Sequence, residues 1–457
     1  MKKRLLLLSL SAIMAVSCLS GCGTQKTSKS GVTEVVIWTS DSHSKVVMNK
    51  LVNEFNNGEG KKNGVKIKYE VKEGDSAQSL DIALQNGKGP DLYPAAKMQE
   101  YSEKGYAMAL DDIPELGDFL KNNSDIHVEG WNVYKDKTYF VPTSSQLFGL
   151  AINKDLFKKA GIVDENGDAK APETLEEMIE DAKKLTDDSK QQYGMIFPVK
   201  WSGFFGCEIQ NTAPSSGGGT GYDFAKGEFD FNQLKPMMEA VMQIKKDGGA
   251  YPGAEGLDND PARARFAEGN VGMKFSVSWD VGVWNDQFPA KCDWDIYPIP
   301  VADKDESYYQ LKNPSWSMMI NKKSVEEKGS DKIALVYNWL YSDEMAAELY
   351  KQGVQLPWKY DIVKNTKLTD AKKGWESYAK LLEIASAYKS SSRVDISAYE
   401  PIGTAFVNEV WSGKKSIDAF IKEQNAHYND GIKKYVSANE GYEPPVDKEY
   451  NMLRIGK

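Results

Sequence analysis

Between residues 34 and 93 the apolar residues change period from segment to segment. Glu34-Val-Val-Ile-Trp38 is a short apolar run of the kind that makes a buried strand, and Met48, Leu51, Val52 and Phe55 then recur at helical spacing. Val65, Ile67, Tyr69 and Val71 alternate as a strand does. Leu80, Ala83 and Leu84 mark a second helix closed by Gly87, and Pro90-Asp-Leu-Tyr93 follows as a third strand. Strand, helix, strand, helix, strand within about sixty residues predicts a parallel α/β sheet. Open sheets of that kind take ligands outside the carboxyl ends of their strands, and the first such end here is Trp38-Thr-Ser-Asp-Ser-His43. A chain of 457 residues is too long for one core, so two domains are expected.

The N-terminus has a different character. Lys2-Lys3-Arg4 precedes an apolar run from Leu5 to Val16, and Leu19-Ser20-Gly21-Cys22 ends the segment. The run is short for a membrane-spanning helix, and Ser20-Gly21 supply the small residues a signal peptidase needs beside its cut. The pattern resembles the bacterial lipoprotein signal. That resemblance implies that residues 1–21 are removed and that Cys22 becomes an acylated N-terminus holding the protein to a lipid membrane on the extracytoplasmic face. The alternative is an uncut membrane anchor. Residues 22–32 are then a small, polar tether. Five of the 57 basic residues are arginine and no aspartate follows Cys22 directly, which points to a Gram-positive cell surface.

Composition narrows the partners. Removing residues 1–21, which carry three positive and no negative charges, takes the net charge from −9 to −12. An acidic chain gains no counterion release from nucleic acid, so no nucleic-acid partner is expected. Cys207 and Cys292 remain as the cysteines able to pair, and spacing alone does not bring them within bridging reach. Thr174 and Glu177 form a capping-box pattern ahead of Leu175, Met178, Ile179, Ala182 and Leu185. Further helical patterns lie at 333–341 and from Ser416 through Ile421. Gly-rich Pro214–Gly221 reads as one surface loop.

Three segments carry a family resemblance: Pro90-Asp91 after a glycine, Gly149-Leu-Ala-Ile-Asn153-Lys154-Asp155-Leu-Phe157-Lys-Lys-Ala-Gly161, and Phe266-Ala-Glu-Gly269-Asn-Val-Gly-Met273 followed by Trp279. They resemble the family 1 extracellular solute-binding proteins of ABC importers, the maltodextrin- and oligosaccharide-binding group. The resemblance implies an α/β, two-lobed periplasmic-binding-protein-like (type II) fold with a hinge and an interlobe ligand cleft. It places crossings near Thr143–Phe148, Ala302–Asn313 and Trp358–Asp361, so one lobe comprises residues 33–143 with 310–358 and the other 148–302 with 361–457. It further implies a monomeric receptor without catalytic activity or cofactor, delivering a carbohydrate to ABC transporter permease subunits by hinge closure.

A sugar presents apolar C–H faces and a ring of hydroxyls, so its site combines aromatic platforms with amide and carboxylate partners. The chain has 11 Trp and 23 Tyr. Where the family places cleft residues, this chain has Trp38, Ser40, Asp41, Lys97, Gln146, Trp201, Trp279, Asp280, Trp316 and Trp358. Each has a plainer alternative. The tryptophans can be packing, Gln146 a hinge residue and Asp41 an N-cap. Lys97 either meets the carboxylate of an acidic sugar or is a solvated charge at a helix entry.

Other chemistry lacks its pattern. Asp164–Asp168 has its glycine at the fourth rather than the sixth position of a calcium loop, and Leu175 stands at the twelfth, so a turn is expected. His43, His127 and His427 are too dispersed for a metal site. Gly413-Lys-Lys-Ser416 lacks the upstream glycine of a phosphate loop, and no Gly-x-Ser-x-Gly elbow occurs. Two rival functions remain open. One is the same fold binding a polyamine, an anion or an iron complex; the other is a surface glycoside hydrolase, which needs paired carboxylates.

Overall fold

The computed structural model describes residues 31–72, 76–127, 130–387 and 389–448. Cys22 and the signal segment lie outside the described residues. The strands in chain order are β1 (Thr33–Thr39), β2 (Val65–Val71), β3 (Leu92–Pro94), β4 (Ala107–Met108), β5 (Val133–Tyr134), β6 (Lys137–Thr138), β7 (Ser144–Asn153), β8 (Tyr193–Met195), β9 (Tyr222–Asp223), β10 (Glu228–Phe229), β11 (Val271–Val277), β12 (Trp294–Tyr297), β13 (Gln310–Trp316), β14 (Met318–Asn321), β15 (Leu356–Pro357) and β16 (Ala385–Ser386).

The first sheet has the order β2-β1-β3-β14-β4. β1 and β2 pair in parallel over their whole length, from Thr33 opposite Val65 to Thr39 opposite Val71. A parallel pair needs a crossover, and the helix Lys45–Asn57 supplies it, turning Met48, Val52 and Phe55 inward. β14 comes from much later in the chain and inserts antiparallel between β3 and β4. The core beneath this sheet draws on residues 35–141 and 316–349, with Val35, Ile37, Leu92 and Ile320 fully buried.

The second sheet has the order β16-β13-β7-β11-β8, with β12 and β15 also paired to β7. Its centre is β7. Ser144–Leu147 pair with β13 and Ser144–Ser145 with β15, whereas Phe148–Ile152 pair with β11 and Leu150–Asn153 with β12. One half of β7 therefore belongs to the crossing segments and the other half to the second lobe. A register shift between Pro314 and Trp316 leaves Ser315 exposed beside this crossing. The second lobe has a large core running from Phe148 to Ile432. A third cluster joins Leu147, Ala151, Trp284, Trp294 and Tyr378 to Tyr350 and Leu356, which packs the segment leading into β15 against these residues.

Local signals in the sequence match the structure in several places. Thr174 Oγ1 accepts from Glu177 N at 3.0 Å, and the Glu177 carboxylate accepts from Glu173 N at 2.7 Å and Thr174 N at 3.3 Å. Those backbone donors hold the Glu177 carboxyl below its usual range. The 164–168 segment closes as a turn, with Asp164 N donating to Asp168 O at 2.9 Å and Gly167 at φ +79°.

One reading needs correction. Pro214–Gly221 is not a surface loop: Pro214–Gly217 form a helical turn, and Gly218 and Gly219 are buried. A Cβ at Gly217 would stand 1.7 Å from the Gln233 carbonyl oxygen and one at Gly219 2.2 Å from Gln233 Oε1. The glycines are there for close approach, which composition alone does not distinguish from looseness. Cys207 and Cys292 are free thiols packed against different cores, and burial pushes both up to about 11.

β11 is buried along its whole length. It carries Lys274, whose Nζ lies 2.8 Å from Glu208 Oε1, the two side chains being 2% and 3% exposed. Lys274 also donates to Phe275 O at 2.8 Å. A buried pair adds little against an apolar substitute, but removing one member strands the other charge at a cost of about 3–5 kcal/mol. Lys274→Met should lower unfolding stability by that amount in a denaturant titration. Lys274→Met combined with Glu208→Leu should recover most of it, and a double variant as unstable as the single one would contradict this role for the pair.

Candidate ligand-binding cleft

Two strand ends face one another across the crossing segments. In the first lobe β1 stops at Thr39 and the chain turns through Ser40–Ser44 into a helix. Asp41 holds that turn: Oδ1 accepts from His43 N at 3.0 Å and Ser44 N at 3.2 Å, and Oδ2 from Ser44 Oγ at 2.6 Å. In the second lobe β11 stops at Val277, and Ser278 N donates to Leu147 O on β7 at 3.0 Å. This bond turns the chain out of the sheet and leaves Trp279 37% exposed, in contrast to the buried strand before it.

Between these ends lies a cleft of about 260 Å³ whose wall includes His43, Ser145, Ser278, Trp279, Ser315 and Gln355. It is a site of the carboxyl-end type expected for open α/β sheets. Ser145 Oγ donates to Pro357 O at 3.1 Å, so the cleft floor is also where β7 and β15 are tied. At the rim Lys372 Nζ lies 2.6 Å from Asp286 Oδ2. Flat aromatic surface beside hydroxyls and an amide can grip a polar molecule with apolar faces.

The ten residues named from the sequence fall into three groups. Trp279 is in the cleft wall and Asp41 lies directly behind it, bonded to Gln355 Nε2 at 3.1 Å. Ser40 is exposed on the same turn. Gln146 sits on β7 opposite Asn313, at the crossing, and Trp201 is half-buried, its indole so close to Gly203 that a Cβ there would stand 2.4 Å away. Neither forms the wall of this cleft. Trp38 is half-buried with Lys72 Nζ 3.9 Å from its ring centroid.

The structure places the remaining four outside this cleft wall, each with partners in the fold. Trp316 is 3% exposed in the first-lobe core, its Nε1 donating to Thr39 Oγ1 at 3.4 Å. Trp358 is 4% exposed, stacked on Trp131 at 5.5 Å with Lys312 Nζ 4.2 Å from its ring centroid. Asp280 is buried, ion-paired to Arg263 Nη2 at 2.5 Å and accepting from Val277 N at 3.2 Å. Lys97 Nζ is bound to Asp81 Oδ2 at 2.6 Å, and Tyr101 donates to Asp81 Oδ1 at 2.7 Å. Burial pushes the Asp81 carboxyl up, but those two bonds outweigh it and hold the carboxyl below its usual range; the same carboxylate raises Lys97.

Ser145, Ser278, Ser315 and Gln355 had no distinguishing signal in the sequence beyond the adjacency of Ser278 to Trp279. Serines are too common to single out, and the four meet only because β11, β13 and β15 converge on β7.

The sequence profile of the bacterial extracellular solute-binding proteins matches residues 41–347. A Brucella abortus (strain 2308) protein described as a binding protein is 26% identical over 230 residues, covering 47% of this chain and 51% of its own; this chain thus spans about half the length of the curated relatives it matches. Among solved structures, apo RafE from Streptococcus pneumoniae superposes with a TM-score of 0.67 at 18% identity, over 88% of this chain and 99% of its own. The maltose/maltodextrin-binding domain MalE of Bdellovibrio bacteriovorus, bound to maltotriose, gives 0.64 at 18% identity, over 88% and 100%. The cyclic alpha-maltosyl-1,6-maltose binding protein of Arthrobacter globiformis gives 0.67 at 18%, over 88% and 100%. At such identities the likeness is one of fold.

Because Lys97 is committed to Asp81 and stands outside the cleft wall, Lys97→Met should leave ligand affinity within about twofold of the parent in a calorimetric titration, as exposed ion pairs contribute little. A tenfold loss would return Lys97 to the site.

Proposed function

We propose that this chain, which belongs to the bacterial extracellular solute-binding proteins, captures a carbohydrate and delivers it to the permease of an ABC importer. The observation that carries the reading is the exposed Trp279 indole in a cleft walled by serine hydroxyls and the Gln355 amide, between the carboxyl strand ends of two lobes. An indole offers a platform for the C–H face of a sugar ring, and the polar groups offer partners for its hydroxyls. The RafE, MalE and Arthrobacter structures, whose fold this chain shares, come from proteins with sugar ligands in their descriptions or crystals, which supports the same class here.

The mechanism follows from the three crossings. Residues 33–143 with 310–358 form one lobe and 148–302 with 361–457 the other, and the short segments between them bend. A ligand touching both lobes favours the closed state by its differential affinity for it, and the permease reads closure. The receptor is monomeric, non-catalytic and free of cofactor. A glycoside hydrolase would need two carboxylates facing each other across the sugar; the described wall offers Asp286, already paired with Lys372. That same pairing leaves little for a polyamine or an anion to neutralise.

Acylated Cys22 holds the receptor at the outer face of the membrane, the tether giving it reach. Among the described residues no helix is long and apolar enough to cross a membrane.

A thermal-shift screen of the purified protein against sugars, uronates, polyamines and amino acids should give an upward shift with sugars, since a ligand that binds only the folded state stabilises by mass action. A shift from a polyamine or anion alone would overturn the substrate class. Trp279→Ala should weaken the responding sugar at least tenfold while the ligand-free transition stays nearly unchanged. Cys22→Ala should move the protein from the membrane to the soluble fraction or leave it unprocessed, and undiminished acyl labelling would remove the anchor.

A further inference from the structure

Trp279 reaches the cleft on a tight turn, and the turn has its own support. Trp279 lies between Val277, the last residue of β11, and Asp280, whose side chain reaches back so that Oδ2 accepts from Val277 N at 3.2 Å. The backbone on either side of the indole is fixed as well, with Ser278 N donating to Leu147 O at 3.0 Å and Gly282 N to Trp279 O at 3.1 Å. An exposed side chain takes its direction chiefly from the backbone that carries it, so whatever closes this turn aims the indole.

Arg263 stands behind the turn, on the helix Asn259–Ala267. Its Nη2 lies 2.5 Å from Asp280 Oδ1, the two side chains being 12% and 2% exposed. This contact is an ion pair by distance rather than an aligned hydrogen bond. Nη1 meets Asp260 Oδ1 at 2.9 Å, on the same helix and out in solvent. A second tie runs through the main chain, where Trp284 Nε1 donates to Arg263 O at 3.1 Å. Arg263 itself is outside the cleft wall.

The two oxygens of Asp280 therefore have separate tasks: Oδ2 closes the turn and Oδ1 is answered by the guanidinium. A carboxylate this deep is tolerated only with its counter-charge in place. Without the guanidinium the anion is driven out toward solvent, and in leaving it gives up Val277 N. A buried pair adds little stability over an apolar pair of the same shape, so what this one contributes is geometry.

We infer that Arg263 is a positioning residue for ligand capture: through Asp280 it holds the Trp279 indole in the cleft wall without touching the ligand. This rests on the carbohydrate reading of the preceding section, in which Trp279 is the platform, and goes beyond it in assigning the residue that supports the platform. Asp280, expected from the family resemblance in the cleft, serves the ligand from behind the wall.

Two measurements test it on the purified protein labelled with fluorotryptophan. The first is fluorine NMR without ligand, the Trp279 resonance being identified by its loss in Trp279→Phe. Arg263→Met should shift or broaden that resonance. Arg263→Met combined with Asp280→Asn should return it to the parent position, because the Asn amide oxygen still accepts from Val277 N and needs no counter-charge. The second is calorimetric titration with the sugar that responds in the thermal-shift screen. Arg263→Met should weaken that sugar about tenfold on the parent protein but less than about twofold on Trp279→Ala, a coupling that a general loss of structure would not produce. An unmoved Trp279 resonance, or equal losses on the parent and on Trp279→Ala, overturns the role of Arg263 and leaves the carbohydrate reading intact. Failure of that reading shows separately, as full affinity in Trp279→Ala, and takes the inference with it. Should Arg263→Met fail to fold, Asp280→Ala removes the bond to Val277 N and leaves Arg263 its partner Asp260; an unmoved Trp279 resonance there overturns the inference equally, since Arg263 acts through Asp280.

Discussion

Everything in this molecule hangs on β7. A single ten-residue strand, Ser144–Asn153, gives its first four positions to β13 and β15 and the rest to β11 and β12. Backbone hydrogen bonds must be satisfied wherever a strand is buried, so the crossing segments cannot separate from the second lobe without exposing that ladder. The consequence is a fixed floor: Ser145 on β7, Ser315 beside the bulge of β13 and Gln355 ahead of β15 are brought together although they lie far apart in the chain. The cleft is a by-product of how β11, β13 and β15 share one strand.

Three of the charged pairs each lie within one lobe. Lys274–Glu208 and Arg263–Asp280 lie inside the second lobe, and Asp81 holds Lys97 in the first. Burying an ion is tolerable only with a partner in place. The residues that might have been read as ligand contacts for their charge are in this way spent on the fold. What stays open toward the cleft is chiefly hydroxyl, amide and one indole, a set that suits a neutral, hydroxylated ligand and hinge closure around it.

Much of the fold was legible in the chain because it rests on periodicity. Val65, Ile67, Tyr69 and Val71 alternate since alternate residues of β2 face the core, and Met48, Val52 and Phe55 repeat at helical spacing since one helix face packs against β2. The Thr174 capping box is likewise a local matter of four residues. The Gly-rich 214–221 segment was misread because glycine serves both slackness and tight contact, and only the position of Gln233 tells them apart. That Trp316 and Trp358 are buried was hidden for a related reason: an indole has the same composition in a core as in a cleft, and burial is a property of its neighbours.

By itself the sequence determined the α/β alternation, the family, and the turns and caps that depend on residues near each other along the chain. Trp279 too stood out, because the family resemblance places a cleft residue there. Only the tertiary structure decided that Asp280 and Lys97 are consumed by Arg263 and Asp81, that Ser315 is turned outward by a register shift, and that Gln355 is pinned against Asp41 with its carbonyl oxygen unanswered. The physical reason is the range of the interactions. Periodicity and capping act over a few residues, whereas these contacts join residues from 16 to 314 positions apart, and whether a polar group is satisfied depends on what those other segments bring to it.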